Sequence, residues 1–269
     1  MRLRLYLFAI VLLSVACLAA TWGKFNNITV GSSGGNVGKY NNVTIGTTTG
    51  NIGAWNALTS PGGGGGGTIT ALTGNHATAT DVIQTGILSG DLVLVTFSDN
   101  TASPAITIAP TSGCSSSGSI TGANISSPDA TQNAGMWCIA NTTTVVASAS
   151  NCTNDCEGAS NPFRSSNGWN TSTFAHGTAA AVSDASPVIG VSVGITGSSC
   201  VVEGAFAQEH TGLTLSSSSP WTLGQSDGGH SDGTSYQINV ATNTYSPKLG
   251  TSGLASSQWV SMSFGMCTN

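Results

Sequence analysis

Three acidic residues in the second half of the chain are the first candidates for chemistry: Glu203, Glu209 and Asp227. A pair of carboxyl groups about 5 to 10 Å apart performs glycoside hydrolysis. Glu203 stands in the apolar run CVVEGAF, where burial would raise its pKa, but strand alternation predicts that it faces solvent. Glu209, next to His210, is typical of a polar strand edge. We therefore predict no catalytic residue.

Two segments carry the oxygen-bearing side chains that Ca²⁺ prefers. The first runs from Asp227 to Asp232, and the second contains Asn154, Asp155 and Glu157. Neither has the spacing of an EF-hand loop, and Asp and Asn also favour turns because their side chains bond to the nearby backbone. The turn is the favoured interpretation at both places. We predict no metal and no cofactor, and a weak calcium site at Asp227 to Asp232 stays open.

A possible nucleophile, Ser33, lies in a G-x-S-x-G pattern at residues 31–35. Hydrolases place such a serine on a sharp turn between a strand and a helix. The sequence GTTTG recurs at the equivalent place, residues 46–50, so Ser33 belongs to a repeating turn. The pattern therefore gives no support to an enzyme.

Aromatic residues in segments rich in Gly, Ser and Asn are the candidates for contact with sugars, because an exposed ring face can stack on a sugar ring. Aromatic side chains more often fill the core of a sandwich, and we expect Trp137 and Trp259 to do so. The candidate glycan-contact residues are Trp169, Trp221, Tyr236 and Tyr245.

Six cysteines remain once the first twenty residues are set aside. An even number in an exported protein predicts disulfides, here up to three, with fifteen possible connectivities. The spacing of Cys152 and Cys156 favours a local bond between them, and the other pairings stay open. Zinc is the rival interpretation, but no His stands at finger-like spacing from a Cys pair. The six are Cys114, Cys138, Cys152, Cys156, Cys200 and Cys267.

The first twenty residues have the pattern of a secretory signal peptide: Arg2 and Arg4 precede an apolar run that ends in small residues. Lipidation at Cys17 is the alternative. Without these residues the chain has four basic and eleven acidic side chains, which argues against nucleic-acid binding. The remaining sequence has no apolar stretch long enough to span a membrane. We expect a protein that is secreted, on the cell surface or associated with a virion.

Residues 21–60 contain a 15-residue repeat, in which WGKFNNITVGSSGGN is followed by VGKYNNVTIGTTTGN and a third, decaying copy. Each copy predicts a short strand between turns. One such unit cannot bury its own apolar side chains, so residues 22–60 are predicted to serve attachment or self-association. Residues 61–67, a proline and six glycines, form a flexible linker.

Residues 68–269 contain many short runs rich in Val, Ile and Thr, separated by turn residues, and no apolar pattern of helical period. This pattern predicts an all-β domain, an antiparallel two-sheet sandwich. We expect strands at 91–97, 105–109, 136–140, 144–149, 188–196, 200–206, 236–241 and 259–264.

Several of these segments resemble the jelly-roll-like sandwich modules of bacterial surface proteins and of phage tail or virion proteins. They are Gly90–Val95, Met136–Ala140, Ser218–Leu223, the strand of Tyr236, and Trp259–Phe264. The segment 150–186 departs from the pattern and is interpreted as an insertion. The resemblance implies a structural or adhesive module that binds glycans or a cell surface. A secreted enzyme acting on polysaccharide, a glycoside hydrolase or lyase, is the alternative.

Overall fold

The structure, a computed structural model, describes residues 67–101, 103–125, 130–182, 186–208, 213–227, 232–252 and 259–269. The predicted signal peptide (1–20), the repeats (21–60) with Ser33, and the linker up to residue 66 lie outside the described residues. So do Glu209, His210 and His230. Within the described ranges no helix is long and apolar enough to cross a membrane.

Every regular element in these ranges is a β-strand, and all the strand pairs are antiparallel. The strands are β1 (Ile69–Ala71), β2 (Asn75–Ala77), β3 (Asp81–Thr85), β4 (Leu92–Asp99), β5 (Thr107–Ser112), β6 (Cys114–Ile125), β7 (Thr131–Ala140), β8 (Thr144–Ser150), β9 (Glu157–Ser165), β10 (Trp169–Val182), β11 (Val188–Ile189), β12 (Val193–Ile195), β13 (Cys200–Ala207), β14 (Thr214–Ser216), β15 (Thr222–Asp227), β16 (Asp232–Val240), β17 (Asn243–Tyr245), β18 (Lys248–Ser252) and β19 (Trp259–Thr268).

The first half of this domain, residues 69–165, is a two-sheet sandwich. Its large sheet has the order β1-β9-β4-β7-β6, with β2 also paired to β9, and its small sheet has the order β3-β8-β5. Along the chain, the strands repeatedly cross from one sheet to the other, as they do in a jelly roll. We call residues 69–165 half 1.

The second half, residues 169–268, repeats this topology. Its large sheet has the order β10-β19-β13-β16-β15 and its small sheet the order β11-β18-β14, with a ribbon of β12 and β17 added. Strand by strand, β10, β13 and β19 take the places that β1, β4 and β9 have in half 1. We call residues 169–268 half 2, so the domain is a tandem pair of jelly rolls.

The two halves pack through their large sheets, giving four layers. Each small sheet covers the outer face of its own large sheet, as where Val82 and Val145 of the small sheet belong to one core with Phe97 of β4 in half 1. Between the two large sheets lies a shared core. Its buried members are Ile69, Leu92, Leu94, Ile120, Phe163, Trp169, Val201, Ala205, Met262, Phe264 and Met266.

This arrangement buries both faces of the central strands. In β4, Leu92 and Leu94 face half 2, while Val93 and Val95 face the small sheet of half 1. Burial on both faces explains why this strand has a continuous apolar sequence. The all-β sandwich prediction is confirmed, and the structure adds that the sandwich occurs twice.

The interpretation of segment 150–186 as an insertion is wrong. Its strand β9 lies inside the large sheet of half 1, paired to β4 on one side and to β1 and β2 on the other. The sequence EGASNPFRS did not predict a central strand because it is mostly polar and Pro162 has no backbone N–H to donate. Its polar side chains are buried against partners, as where the Ser160 hydroxyl donates to Gln84 Oε1 at 2.8 Å.

The contacts between the halves are reciprocal. At one end of the interface, β6 and β7 of half 1 pack against β10 and β19 of half 2. At the other end, the equivalent strands β15 and β16 of half 2 pack against β2 and β9 of half 1. Each half thus uses equivalent strands to contact the other half. The subunits of a two-fold symmetric dimer contact each other in the same way, but here both halves belong to one chain.

Three disulfides connect the six cysteines, which confirms the predicted number. Cys152–Cys156 is the predicted local bond. Cys114–Cys138 joins β6 to β7, and Cys200–Cys267 joins directly opposed residues of β13 and β19. Each bond therefore lies within one half, and none crosses the interface between the halves.

Candidate functional site

The two ends of the inter-half interface are chemically different. At the β6/β7 end, three aromatic rings pack together: the ring centroid of Phe174 lies 5.8 Å from that of Trp137 and 6.5 Å from that of Phe264. At the β15/β16 end lies a cleft that polar and acidic residues line together with alanines and glycines. We call it the inter-half cleft. Strands β2, β4, β7 and β9 of half 1 line it together with β13, β15 and β16 of half 2.

A histidine and two carboxylates cluster where His76 and Glu157 line this cleft. His76 lies opposite Ala159 in the β2–β9 register, so the alternation of β9 puts Glu157 on the same face. His76 Nε2 lies 2.9 Å from Glu157 Oε2. Asp227, at the end of β15, comes from the other half. One ligand atom each of His76, Glu157 and Asp227 lies within 4.8 Å of the other two.

A third carboxylate, Asp232, faces the same cleft across the β15–β16 hairpin, opposite Asp227 in the register. It accepts a hydrogen bond from the hydroxyl of Ser98 on β4, which is a contact between the two halves. Burial raises the pKa of Asp232 well above its usual range. The Ser98 donor opposes this rise, while the charges of Glu157 and Asp227 add to it.

One buried amide faces the cleft without a partner. Asn133 on β7 lies in register with Ser98, which is in turn in register with Glu157, so the three form a polar row across half 1. Asn133 Oδ1 accepts from the Ala123 backbone N–H at 3.1 Å, which fixes the orientation of the amide. Its Nδ2 is buried and has no hydrogen-bond partner among the described residues. This donor is available for an oxygen atom inside the cleft.

Glu203 is buried more deeply, in the shared core beside the inter-half cleft. Phe97 on β4 and Phe206 on β13 both face the outer layer of their own half, so we treat them as equivalent positions. Three residues earlier on each strand, Glu203 takes the place that Leu94 has in half 1. Glu203 lies between Tyr236 and Phe264 in the register of its sheet. The prediction that it faces solvent is wrong: it is 0% exposed, because half 1 covers that face of β13.

Burial raises the pKa of Glu203 well above its usual range. The side chain of Asn161 on β9 opposes the rise by hydrogen bonding. Asn161 Nδ2 also donates to the hydroxyl of Thr234 at 2.8 Å, and Thr234 lines the inter-half cleft. Burial, with the charge of Glu203 as a smaller cause, also raises the pKa of Tyr236.

The predicted glycan-contact aromatics lie elsewhere. Trp169 and Trp221 are only 7% and 4% exposed, so neither offers a ring face to a sugar, and Trp259 is buried as expected. Tyr236 is half-buried, in an edge-to-face contact with Phe163. Tyr245 is half-buried and donates its hydroxyl to the Ala241 carbonyl at 2.9 Å. Among the described residues, the lining of the cleft includes none of these four candidates.

The two acidic segments of the sequence converge in part. Glu157 of one segment and Asp227 of the other come together beside His76, whereas Asp155 is exposed and accepts from the Asn100 side chain at 3.3 Å. Asp155 has a φ of +53°, a turn conformation that Asp tolerates. Sequence reasoning missed His76 and Asn133, because no local spacing connects either residue to the acids.

No protein family, curated protein or solved structure matches the chain. Its class is therefore defined by its fold: a disulfide-bonded tandem jelly roll with a polar cleft between the two halves.

Proposed function

We propose that the chain is an exported structural or adhesive protein of a cell surface, phage tail or virion, whose tandem jelly roll binds glycans or a cell surface. The observation that carries the proposal is the fold: two jelly rolls joined face to face, each stapled internally by disulfides. Disulfides are typical of proteins that work outside the cytosol. Such a unit presents broad strand surfaces to solvent over the described residues.

The chemistry of the exposed surface supports binding to neutral sugars. Only 6% of the residues of the chain are charged. The edge strand of the large sheet in half 1, β6, presents hydroxyl groups to solvent over much of its length. Hydroxyl side chains both donate and accept hydrogen bonds, which suits them to sugar hydroxyls. The exposed hydroxyl residues of β6 are Ser115, Ser116, Ser117, Ser119 and Thr121.

A glycan panel and intact cells test this proposal with the full chain. We expect binding to at least one neutral glycan or cell type. Replacing Ser117 and Ser119 together by Glu should abolish binding, because two carboxylates would repel and displace the ligand. The matched control places Glu at Ser172, an exposed serine outside β6, and should bind normally. Equal binding by the β6 variant and the control would refute β6 as the binding surface. No binding by the unmodified chain would refute the adhesive role.

A polysaccharide-acting enzyme is the second candidate, because Glu157 lines the cleft and its carboxylate lies within 4.8 Å of that of Asp227. A sugar-binding groove of the expected kind would also carry tryptophan, and within the described ranges no tryptophan lines the cleft. Release of reducing sugars from polysaccharides by the full chain, lost in Glu157→Gln, would favour the enzyme over the adhesin.

Self-association through residues 22–60 remains part of the proposal. The full chain should sediment as a larger species than a chain lacking those residues. If both sediment as monomers, residues 22–60 act only as a tether.

A further inference from the structure

The inter-half cleft combines ligand atoms from strands far apart in the sequence. Imidazole nitrogen and carboxylate oxygen together suit first-row transition metals such as Zn²⁺ and Mn²⁺, whereas Ca²⁺ prefers oxygen alone. Ligands bonded at about 2.0–2.2 Å lie at most about 4.3 Å apart around one ion. The ligand atoms of His76, Glu157 and Asp227 lie within 4.8 Å of one another, so small side-chain rotations bring them to bonding positions.

The charge at this cleft also favours a cation. One imidazole faces the two carboxylates of Glu157 and Asp227. The described ranges contain two basic residues other than histidine, and neither serves the cleft. Arg164 makes a two-pronged pair with Asp91, and Lys248 lies on β18 in the outer layer of half 2.

The unpartnered amide of Asn133 is an independent indication of a ligand in the same space. Asn133 is 4% exposed, its Oδ1 is held by Ala123, and its Nδ2 has no partner among the described residues. A bound metal carries water or hydroxide in positions that the protein leaves open. Asn133 lines the same cleft as His76 and Glu157, and an oxygen atom held in that cleft would satisfy the buried donor, which otherwise costs free energy.

We propose that His76, Glu157 and Asp227 bind one divalent transition-metal ion, of the Zn²⁺ or Mn²⁺ type, that joins the two jelly rolls. His76 and Glu157 come from half 1 and Asp227 from half 2, so the ion clamps an interface that no disulfide crosses. The equivalent end of the interface is packed with aromatic rings instead. Apolar packing thus joins the halves at the β6/β7 end of the interface, and the metal ion joins them at the β15/β16 end.

Calorimetric titration of the full, chelator-treated chain with ZnCl₂, MnCl₂ and CaCl₂ tests the proposal. We expect one Zn²⁺ or Mn²⁺ per chain, a higher melting temperature with that ion, and no comparable effect of Ca²⁺. His76→Gln should weaken binding by more than about tenfold, since loss of even an indirect partner of a metal ligand costs about 10–100-fold. His76 is 20% exposed, so this variant is expected to fold, which near-ultraviolet circular dichroism checks.

The matched control is His176→Gln, which removes an exposed histidine on β10, a strand of the opposite end of the interface. This control should bind the ion as the unmodified chain does. Asp227→Asn should weaken binding as His76→Gln does. The proposal is overturned if the unmodified chain binds neither transition metal, if Ca²⁺ binds more tightly than both, or if His76→Gln binds as tightly as the control.

Discussion

Replacing Glu203 by Gln should make the protein more stable at neutral pH, and the gain should depend on pH. The Glu203 carboxyl is 0% exposed in the shared core, and burial raises its pKa well above the usual range. A raised pKa means that the folded chain binds a proton that the unfolded chain has lost. Stability is therefore fully present below the unfolded pKa of about 4.3 and is lost as pH rises toward the folded pKa.

The magnitude follows from proton linkage. Within that window each pH unit costs the unmodified protein about 1.4 kcal/mol from this one group. Gln has nearly the same shape as the protonated acid and does not ionise. Between pH 5 and pH 7 the free energy of unfolding of Glu203→Gln should thus gain at most about 2.7 kcal/mol relative to the unmodified chain.

Urea unfolding followed by tryptophan fluorescence at several pH values from 4 to 8 measures this difference. Asp232→Asn gives a second, separate contribution of the same sign, because burial also raises the pKa of Asp232. The urea unfolding curves of the unmodified chain and of Glu203→Gln should nearly coincide at pH 4 and separate at higher pH. Parallel pH profiles for the unmodified chain and Glu203→Gln would refute the reasoning.

Two further predictions concern the disulfides and the interface. Replacing both Cys200 and Cys267 by Ser should lower the free energy of unfolding by about 4 kcal/mol, and removing the Cys152–Cys156 bond by about 2, because the sequence separations are 67 and 4. Urea midpoints in the reverse order would contradict this. Gly135→Ala should cost about 1–3 kcal/mol, because a Cβ there would lie 2.4 Å from Phe264 Cζ across the interface. An unchanged melting temperature would show that the interface yields without cost.

Strand positions could be predicted where the side chains are apolar. The strands β4, β8, β13 and β19 carry runs of Val, Leu, Met and Phe, which indicate burial whatever their partners are. The strands β6 and β9 were missed because they are rich in Ser, Asn and Gly. Their positions depend on pairing and on buried hydrogen bonds with distant residues, which local pattern does not contain.

The duplication of the jelly roll was also invisible in the sequence. A single sandwich of about 200 residues and two sandwiches of about 100 residues have the same density of strands and turns. What distinguishes one sandwich from two is which strands pair in which sheet, and that pairing is visible only in the structure. The sequence keeps only a slight sign of the duplication. Val82-Ile83 and Val188-Ile189 take equivalent places at the edges of the two small sheets, each with the valine buried and the isoleucine half exposed.

By itself, the sequence determined the all-β class, the number of disulfides and most of the apolar core, because composition and alternation control burial directly. The tertiary structure decided how the other four cysteines pair, which face of β13 is covered, and which polar groups meet. His76, Glu157 and Asp227 come from three strands of two halves, so their proximity exists only after the large sheets pack. Ligand geometry and a buried carboxyl depend on distances of a few ångströms between remote segments, and those distances are set by packing.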